Sequence, residues 1–194
     1  MDSIDYYNKY AAKEFEETVN QDMSEIMKEF TSLLNEGDTI LDLGCGSGRD
    51  SLTFYDLGYD VTPLDASEEM CKLAEIHTGL EVLQMTYEEM DFDNVFDGIW
   101  ACASLLHTPK KELSDILTKI ARALNDNGIL YMSYKLGDFE GFRGKRYFSD
   151  FTEESMTELL RDNGRFEILK LWQTDDVRSG HSDVRWLNVL LKKQ

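Results

Sequence analysis

Proline is nearly absent from this chain, cysteine is sparse, cations are outnumbered, and no apolar run is long. Each shortage excludes something. Only Pro63 and Pro109 interrupt the 194 residues, and no internal repeat or low-complexity linker divides them. That length suits one domain whose core needs no staples, so a single domain over 1–194 is expected, with a helical lid or cap at 1–36 and an α/β core at 37–194. Cys45, Cys71 and Cys102 are odd in number and far apart, with no CxxC pair. A zinc ribbon and an iron–sulfur radical centre are thereby disfavoured, free thiols in a reducing cytosol are expected, and no metal site is expected. No apolar stretch approaches the roughly 18 residues of a membrane span. The acid-rich opening MDSIDYYNKYAAKEFEE also has no apolar run of the kind a signal peptide carries. A cytoplasmic protein without a membrane partner is the expectation.

Against 38 Asp+Glu stand 20 Lys+Arg, a formal net charge of −18. Binding to polyphosphate is driven largely by Lys and Arg displacing counterions, so nucleic acid is disfavoured as a partner, although a local basic patch could survive on an acidic protein. A solvated acidic surface accounts for the charge. A small molecule is the expected partner, and a monomer or homodimer the expected assembly.

The apolar pattern has two parts. Helices are expected at Ile4–Thr18 and Ser24–Leu34, the second with Ile26, Met27, Phe30, Leu33 and Leu34 at helical spacing. From Thr39 onward short apolar runs alternate with helical ones. Strands are expected at Thr39–Leu43, Asp60–Leu64, Glu81–Met85, Phe96–Ala101 and Ile129–Tyr134. Helices are expected at Asp50–Leu57, from Ser67, at Lys110–Leu124, and from Thr152 to about Asn163. Two last strands, Phe166–Thr174 and Trp186–Leu191, have no helix between them and should pair antiparallel. This alternation implies a Rossmann-like, doubly wound α/β fold: a mostly parallel seven-stranded sheet, an antiparallel C-terminal strand and two N-terminal helices.

The segment Ile40-Leu41-Asp42-Leu43-Gly44-Cys45-Gly46-Ser47-Gly48-Arg49 stands where the first strand turns into a helix. Ligands of open α/β sheets bind beyond the carboxyl ends of the strands. Glycines there let the backbone turn sharply and let a ligand come close. The dinucleotide fingerprint GxGxxG needs glycine at its sixth position, and Arg49 occupies it. Asp42 puts a carboxylate where a pyrophosphate would otherwise sit, which suits an ammonium or sulfonium better than a phosphate. About 20 residues on, Asp65 is placed to accept hydrogen bonds from two ribose hydroxyls.

The run DLGCGSGRDSLTFYDLGYDVTPLD, from Asp42 to Asp65, closely resembles motif I and the following strand of class I methyltransferases. Its GRDS and GYDVT elements look like the tellurite-resistance type and other small-molecule members. The resemblance continues through FDGIWACASLLH and ARALNDNGILYMSY, covering about Thr39 to Tyr134. It implies S-adenosylmethionine as cofactor, with S-adenosylhomocysteine as product, and methyl transfer to a small-molecule acceptor. Gly44, Cys45 and Gly46 would cradle the methionine part, Asp42 would orient its ammonium, and Asp65 with neighbouring Ala66 would hold the ribose. Where the family usually has an acidic residue near the adenine amine this sequence has Thr86, with Tyr87 beside it. Ala101 and Ser104 would lie near the sulfonium. Tyr6 and Tyr10 resemble N-terminal lid tyrosines, Tyr10 on the cofactor side and Tyr6 on the substrate side.

Methyl transfer is an in-line displacement that needs alignment more than a base. If a base is used, His107 is the first candidate, its alternative being a loop histidine beside Pro109. Arg178 and His181, in the long turn between the last two strands, and Arg143, in an aromatic and cationic loop after the fifth strand, are candidates for the acceptor. Each could equally be a surface residue without that task. Two other readings stay open: a nicotinamide-dependent oxidoreductase on a similar sheet, and a non-catalytic nucleoside-binding protein.

Overall fold

A computed structural model describes residues 3–178 and 183–194. Seven strands form one sheet: β1 (Thr39–Leu43), β2 (Asp60–Asp65), β3 (Leu83–Gln84), β4 (Phe96–Ala101), β5 (Leu124–Lys135), β8 (Phe166–Asp175) and β9 (Arg185–Lys193). Their order is β3-β2-β1-β4-β5-β9-β8. β1 pairs in parallel with both β2 and β4, and β9 runs antiparallel to both β5 and β8. The strand order reverses between β1 and β4, so the loops after these two strands diverge and leave a crevice between them. The Rossmann-like reading holds, with the single antiparallel strand at the C-terminus.

Side chains of the strands alternate between two cores, as a two-residue period requires. Leu41, Leu43, Ile99, Leu130, Met132 and Tyr134 pack on the face covered by α5 (Lys110–Ala123) and α6 (Glu153–Asn163). Ile40, Trp100, Ile129 and Tyr131 pack on the opposite face against Phe30 of α2 (Ser24–Thr31) and Phe54 of α3 (Arg49–Asp56). Gly98 in β4 permits this contact, because a Cβ there would stand 2.7 Å from Phe30 Cζ. The expected stripe of the second helix is right at Met27 and Phe30, while Leu33 lies beyond the helix end and is exposed.

Three local features differ from the sequence reading. The third strand is cut to two residues, because as an edge strand it has only β2 to pair with. The fifth strand starts directly after α5, at Leu124, and accommodates Asn127 with φ 64 as an irregularity inside it, a conformation asparagine tolerates. The stretch expected to be irregular after Tyr134 contains a hairpin, β6 (Glu140–Arg143) and β7 (Arg146–Ser149). Its two-residue turn, Gly144-Lys145, has Gly144 at φ 63, a known hairpin signal that sequence reading passed over.

Helix α1 (Ser3–Thr18) lies over the same edge of the sheet as the crevice. Asn8 ties it to α4 (Glu68–Thr78), accepting from Ser67 Oγ at 2.8 Å. At its other flank it meets the hairpin, where Arg146 sits over the Tyr6 ring at 4.7 Å and reaches Glu14 at 3.5 Å. Among the described residues, no helix is long and apolar enough to cross a membrane.

Candidate active site

Between the crevice and α1 lies a cavity of about 550 Å³, which the hairpin and the start of the β8–β9 turn also line. Its first end is the glycine turn. Gly44 and Cys45 donate their N–H groups to Leu64 O at 2.8 and 2.9 Å, which fixes the turn against β2. Gly44 has φ 81, and a Cβ there would stand 2.4 Å from Ser104 Cβ. Its glycine is therefore demanded by the β4 loop, whose Ser104 Oγ donates to Leu43 O at 2.5 Å. Gly46 is different: at φ 55 its nearest neighbour would be Met70 Cε at 3.9 Å, so that side is open to a ligand. Asp65, at the end of β2, accepts from the N–H groups of Gly46 and Ser67, each at 2.9 Å.

Behind the turn the cavity floor is acidic. Asp42 is 2% exposed and accepts from Ser51 Oγ at 2.6 Å. Burial, reinforced by the charge of Asp50, pushes its carboxyl up to about 8. Asp50 itself is held by Trp100 Nε1 at 2.8 Å and by the Arg49 guanidinium at 2.6 and 2.8 Å. Arg49 also lines the cavity.

The other end is built by β5, the β4 loop, α1 and the hairpin. Its centre is His107. The Nδ1 atom lies 2.7 Å from Tyr147 O, a carbonyl that can only accept, so Nδ1 carries the proton. Nε2 is then a free acceptor, and the Tyr7 hydroxyl donates to it at 3.0 Å. Arg146 in turn donates to Tyr7 Oη at 3.2 Å. Burial, with the charges of Arg146 and Lys135, pulls His107 down to about 4, so it is neutral at pH 7. Burial raises the Tyr7 hydroxyl, which keeps its proton.

Residues 40–128 match the methyltransferase domain family. An uncharacterized methyltransferase of Staphylococcus carnosus is 25% identical over 81% of this chain and 83% of its own length. A methyltransferase structure from Methanosarcina mazei superposes with a TM-score of 0.76 at 25% identity, over 89% of this chain and 98% of that one. Over residues 40–128 the chain is similar to the methyltransferase domain family, and its fold is that of the Methanosarcina mazei methyltransferase. Another similar structure, the 1,6-didemethyltoxoflavin-N1-methyltransferase of Burkholderia thailandensis, has a TM-score of 0.80 at 22% identity, over 98% of this chain and 87% of that one. Two further curated relatives are matched over 47% and 43% of their own length, so this chain spans about half of each.

The methyl donor of class I methyltransferases is S-adenosylmethionine, which carries an ammonium and a sulfonium and no phosphate. The residues fit it. Asp42, Asp50 and Asp65 all border the glycine-turn end, where burial and the neighbouring Asp50 raise Asp42 despite the charge of Arg49, so a further cation would be favoured there. Gly46 offers the open backbone such a ligand needs. A nicotinamide dinucleotide would instead bring its pyrophosphate against this acidic floor.

Of the expected residues, Asp42, Gly44, Cys45, Gly46, Asp65, Ala66, Thr86, Tyr87, Ser104, His107 and Arg178 all line the cavity. Four do not. Ala101 is fully buried in the sheet core, because its side chain points to the α5 face; Ala103 and Ser104 take the wall position. Tyr10 turns outward to Lys145 Nζ, 3.0 Å away, at the point where α1 kinks. Tyr6 is held outside the lining by Glu14, to which its hydroxyl donates at 2.8 Å. Arg143 is tied to the buried Asp150, with Nη1 2.7 Å from Oδ1. His181, with Ser179 and Gly180, falls outside the described residues.

Sequence reading missed Tyr7, Glu14, Arg49, Ser133, Lys135 and Arg146, all of which line the cavity. Only alternation could have found Ser133 and Lys135, since they share one face of β5 with Tyr131. Glu88 borders the cavity two residues beyond Thr86, so a carboxylate is present in the segment where none was expected to serve adenine.

Proposed function

We propose that this chain transfers a methyl group from S-adenosylmethionine to a small-molecule acceptor seated at the Tyr7–His107 end. The observation that carries the reading is one cavity running from the glycine turn to that pair. When bound, the donor supplies an electrophilic methyl group on a sulfonium. Asp65 and Ala66 hold the ribose, Gly44, Cys45 and Gly46 the methionine backbone, and Asp42 the ammonium. Arg49 is placed for the methionine carboxylate, and Thr86, Tyr87 and Glu88 border the adenine. Residues 1–36 act as a lid through α1, with Tyr7 rather than Tyr6 or Tyr10 reaching inward.

His107 and Tyr7 act together on the acceptor's proton. The Tyr7 oxygen accepts from an acceptor O–H or N–H, while its own proton moves to His107 Nε2 along the existing hydrogen bond. Protonating an imidazole pulled down to about 4 costs roughly 4 kcal/mol at pH 7. The pair therefore suits acceptors whose own proton is acidic or already lost.

Calorimetric titration with S-adenosylmethionine and S-adenosylhomocysteine, followed by transfer of a radiolabelled methyl group to a broad acceptor panel, tests this reading. Micromolar binding with transfer supports it. Binding without transfer to any acceptor would leave a nucleoside-binding protein, and no binding would withdraw the function.

A further inference from the structure

The acceptor end collects positive charge in a protein whose net charge is −18. Lys135, Arg146 and Arg178 all line it, beside the carboxylates of Glu14, Asp175 and Asp176. These cations are not equally occupied. Arg178 is matched by Asp176, at 2.6 and 2.9 Å, and Trp186 Nε1 shares that carboxylate at 3.0 Å. Arg146 has Tyr7 Oη at 3.2 Å and a long contact to Glu14 at 3.5 Å, a carboxylate that also serves Tyr6. The Lys135 ammonium has no hydrogen bond or ion pair among the described residues. Its Nζ lies over the Phe148 ring, 4.7 Å from the centroid, and the nearby carboxylate that acts on it, Asp150, is already taken by Arg143.

An ammonium has three protons to give, and leaving them unmet in a half-buried site is unfavourable. Burial pulls Lys135 down from its usual range, and the nearby guanidiniums of Arg143, Arg178 and Arg146 pull it further, against a smaller opposing pull from Asp150. A folded chain keeps such a group at a cavity wall when a ligand supplies the missing charge. The same wall carries Phe142, Tyr147, Phe148 and Trp186, flat apolar surfaces suited to a ring.

We propose that Lys135, assisted by Arg146, binds an oxyanion on the methyl acceptor, making the substrate a small aromatic or heteroaromatic acid. The inference rests on the acceptor reading above and names its substrate class. Ser133 and Tyr131 continue the same face of β5 toward the glycine turn, so an acid held at Lys135 extends toward the donor. Its negative charge also offsets the two cations that depress His107, which makes the imidazole a better proton acceptor once the substrate is seated.

The test is calorimetry on protein saturated with S-adenosylhomocysteine, using matched probes: 4-hydroxybenzoate against 4-hydroxybenzamide, nicotinate against nicotinamide, and phenyl phosphate against phenol. At least one anion should bind about tenfold or more tightly than its neutral partner. Lys135→Gln should abolish that preference while leaving S-adenosylhomocysteine affinity as it was and the melting temperature no lower, and Lys135→Arg should retain most of it. Carboxylate and phosphate probes separate the two kinds of oxyanion. Equal binding of anion and neutral partner overturns the proposal, as does a preference that survives in Lys135→Gln, or no binding of any anion at millimolar concentration. Failure of S-adenosylhomocysteine itself to bind overturns the donor reading instead, and the anion titrations on the free protein still decide this one.

Discussion

The two ends of the cavity differ in where their cations stand. At the glycine turn the wall carries Asp42, Asp50 and Asp65, with Arg49 as the one guanidinium among them. Some distance along the same cavity, Lys135, Arg146 and Arg178 surround a neutral histidine. The acidic end comes from the first turn of the sheet and the strand after it, a contiguous stretch of sequence. The basic end comes from β5, the hairpin and the β8–β9 turn, on the far side of β4. In the function proposed above, a cation-bearing cofactor is met by a local motif, and the acceptor by elements brought together only by the fold.

The largest effects expected separate the glycines of the acidic end. Gly44→Ala must both adopt φ near 81 and fit a Cβ 2.4 Å from Ser104 Cβ. Its urea denaturation should show a loss of about 3 kcal/mol or more. Gly46→Ala meets only Met70 Cε at 3.9 Å and should cost about 1 kcal/mol in stability. Its affinity for the donor should nevertheless fall about tenfold or more, as the new methyl group occupies ligand space. If Gly46→Ala instead binds the donor normally, the ligand does not approach that turn.

Next comes Asp65→Ala, which should weaken donor binding by about 1.5–3 kcal/mol in calorimetry while sparing the acceptor end. An unchanged dissociation constant would mean that the ribose lies elsewhere. At the other end, Tyr7→Phe and His107→Gln should each lower kcat about a hundredfold, with donor affinity intact. Equal kcat in the Tyr7 variant would show that its hydroxyl does not face the acceptor.

The smallest effects, and the sharpest contrast, are in pH dependence. Asp42 is raised to about 8 in the fold, so between roughly pH 4 and 8 the folded state holds a proton that the unfolded chain has lost. Its contribution to stability therefore declines as pH rises through that window. His107 is lowered to about 4, so its contribution is present above roughly pH 6.5 and declines as pH falls toward 4. Asp42→Asn should flatten the fall in melting temperature as pH rises from about 4 to 8, and His107→Gln the fall as pH drops from about 6.5 to 4. Donor binding at pH 7 should also release up to about one proton, read from calorimetry in buffers of different ionisation enthalpy, and Asp42→Asn should remove that release. A release that persists in the variant assigns the proton to another group.

What was legible in sequence follows this same division. The glycine turn, Asp42 and Asp65 were readable because they sit at fixed offsets along two adjacent strands, where local geometry fixes their neighbours. Even there the reason for one residue was hidden: Gly44 reads as room for a ligand, and Ser104, 60 residues on, is what requires it. His107 was readable from its place after β4, but its tautomer was not, since that depends on Tyr147 O across the hairpin. Tyr6, Tyr7 and Tyr10 stand in one helix, and sequence cannot rank them without the face that the kink at Tyr10 turns inward. Arg143 and Arg146 were likewise indistinguishable in composition, and only the hairpin register sends the first to Asp150 and the second into the cavity.

By itself, the sequence determined the alternation of strands and helices, the parallel sheet that follows from it, and the acidic glycine turn at its switch point. Those features rest on periodicity and on backbone conformations that only certain residues adopt, both local properties. Tertiary structure decided which cations are neutralised and which are left facing the cavity. Lys135 differs from the chain's other lysines in nothing but where β5 ends and what packs beside it, and the charge left unmatched there depends on distances that no local pattern encodes.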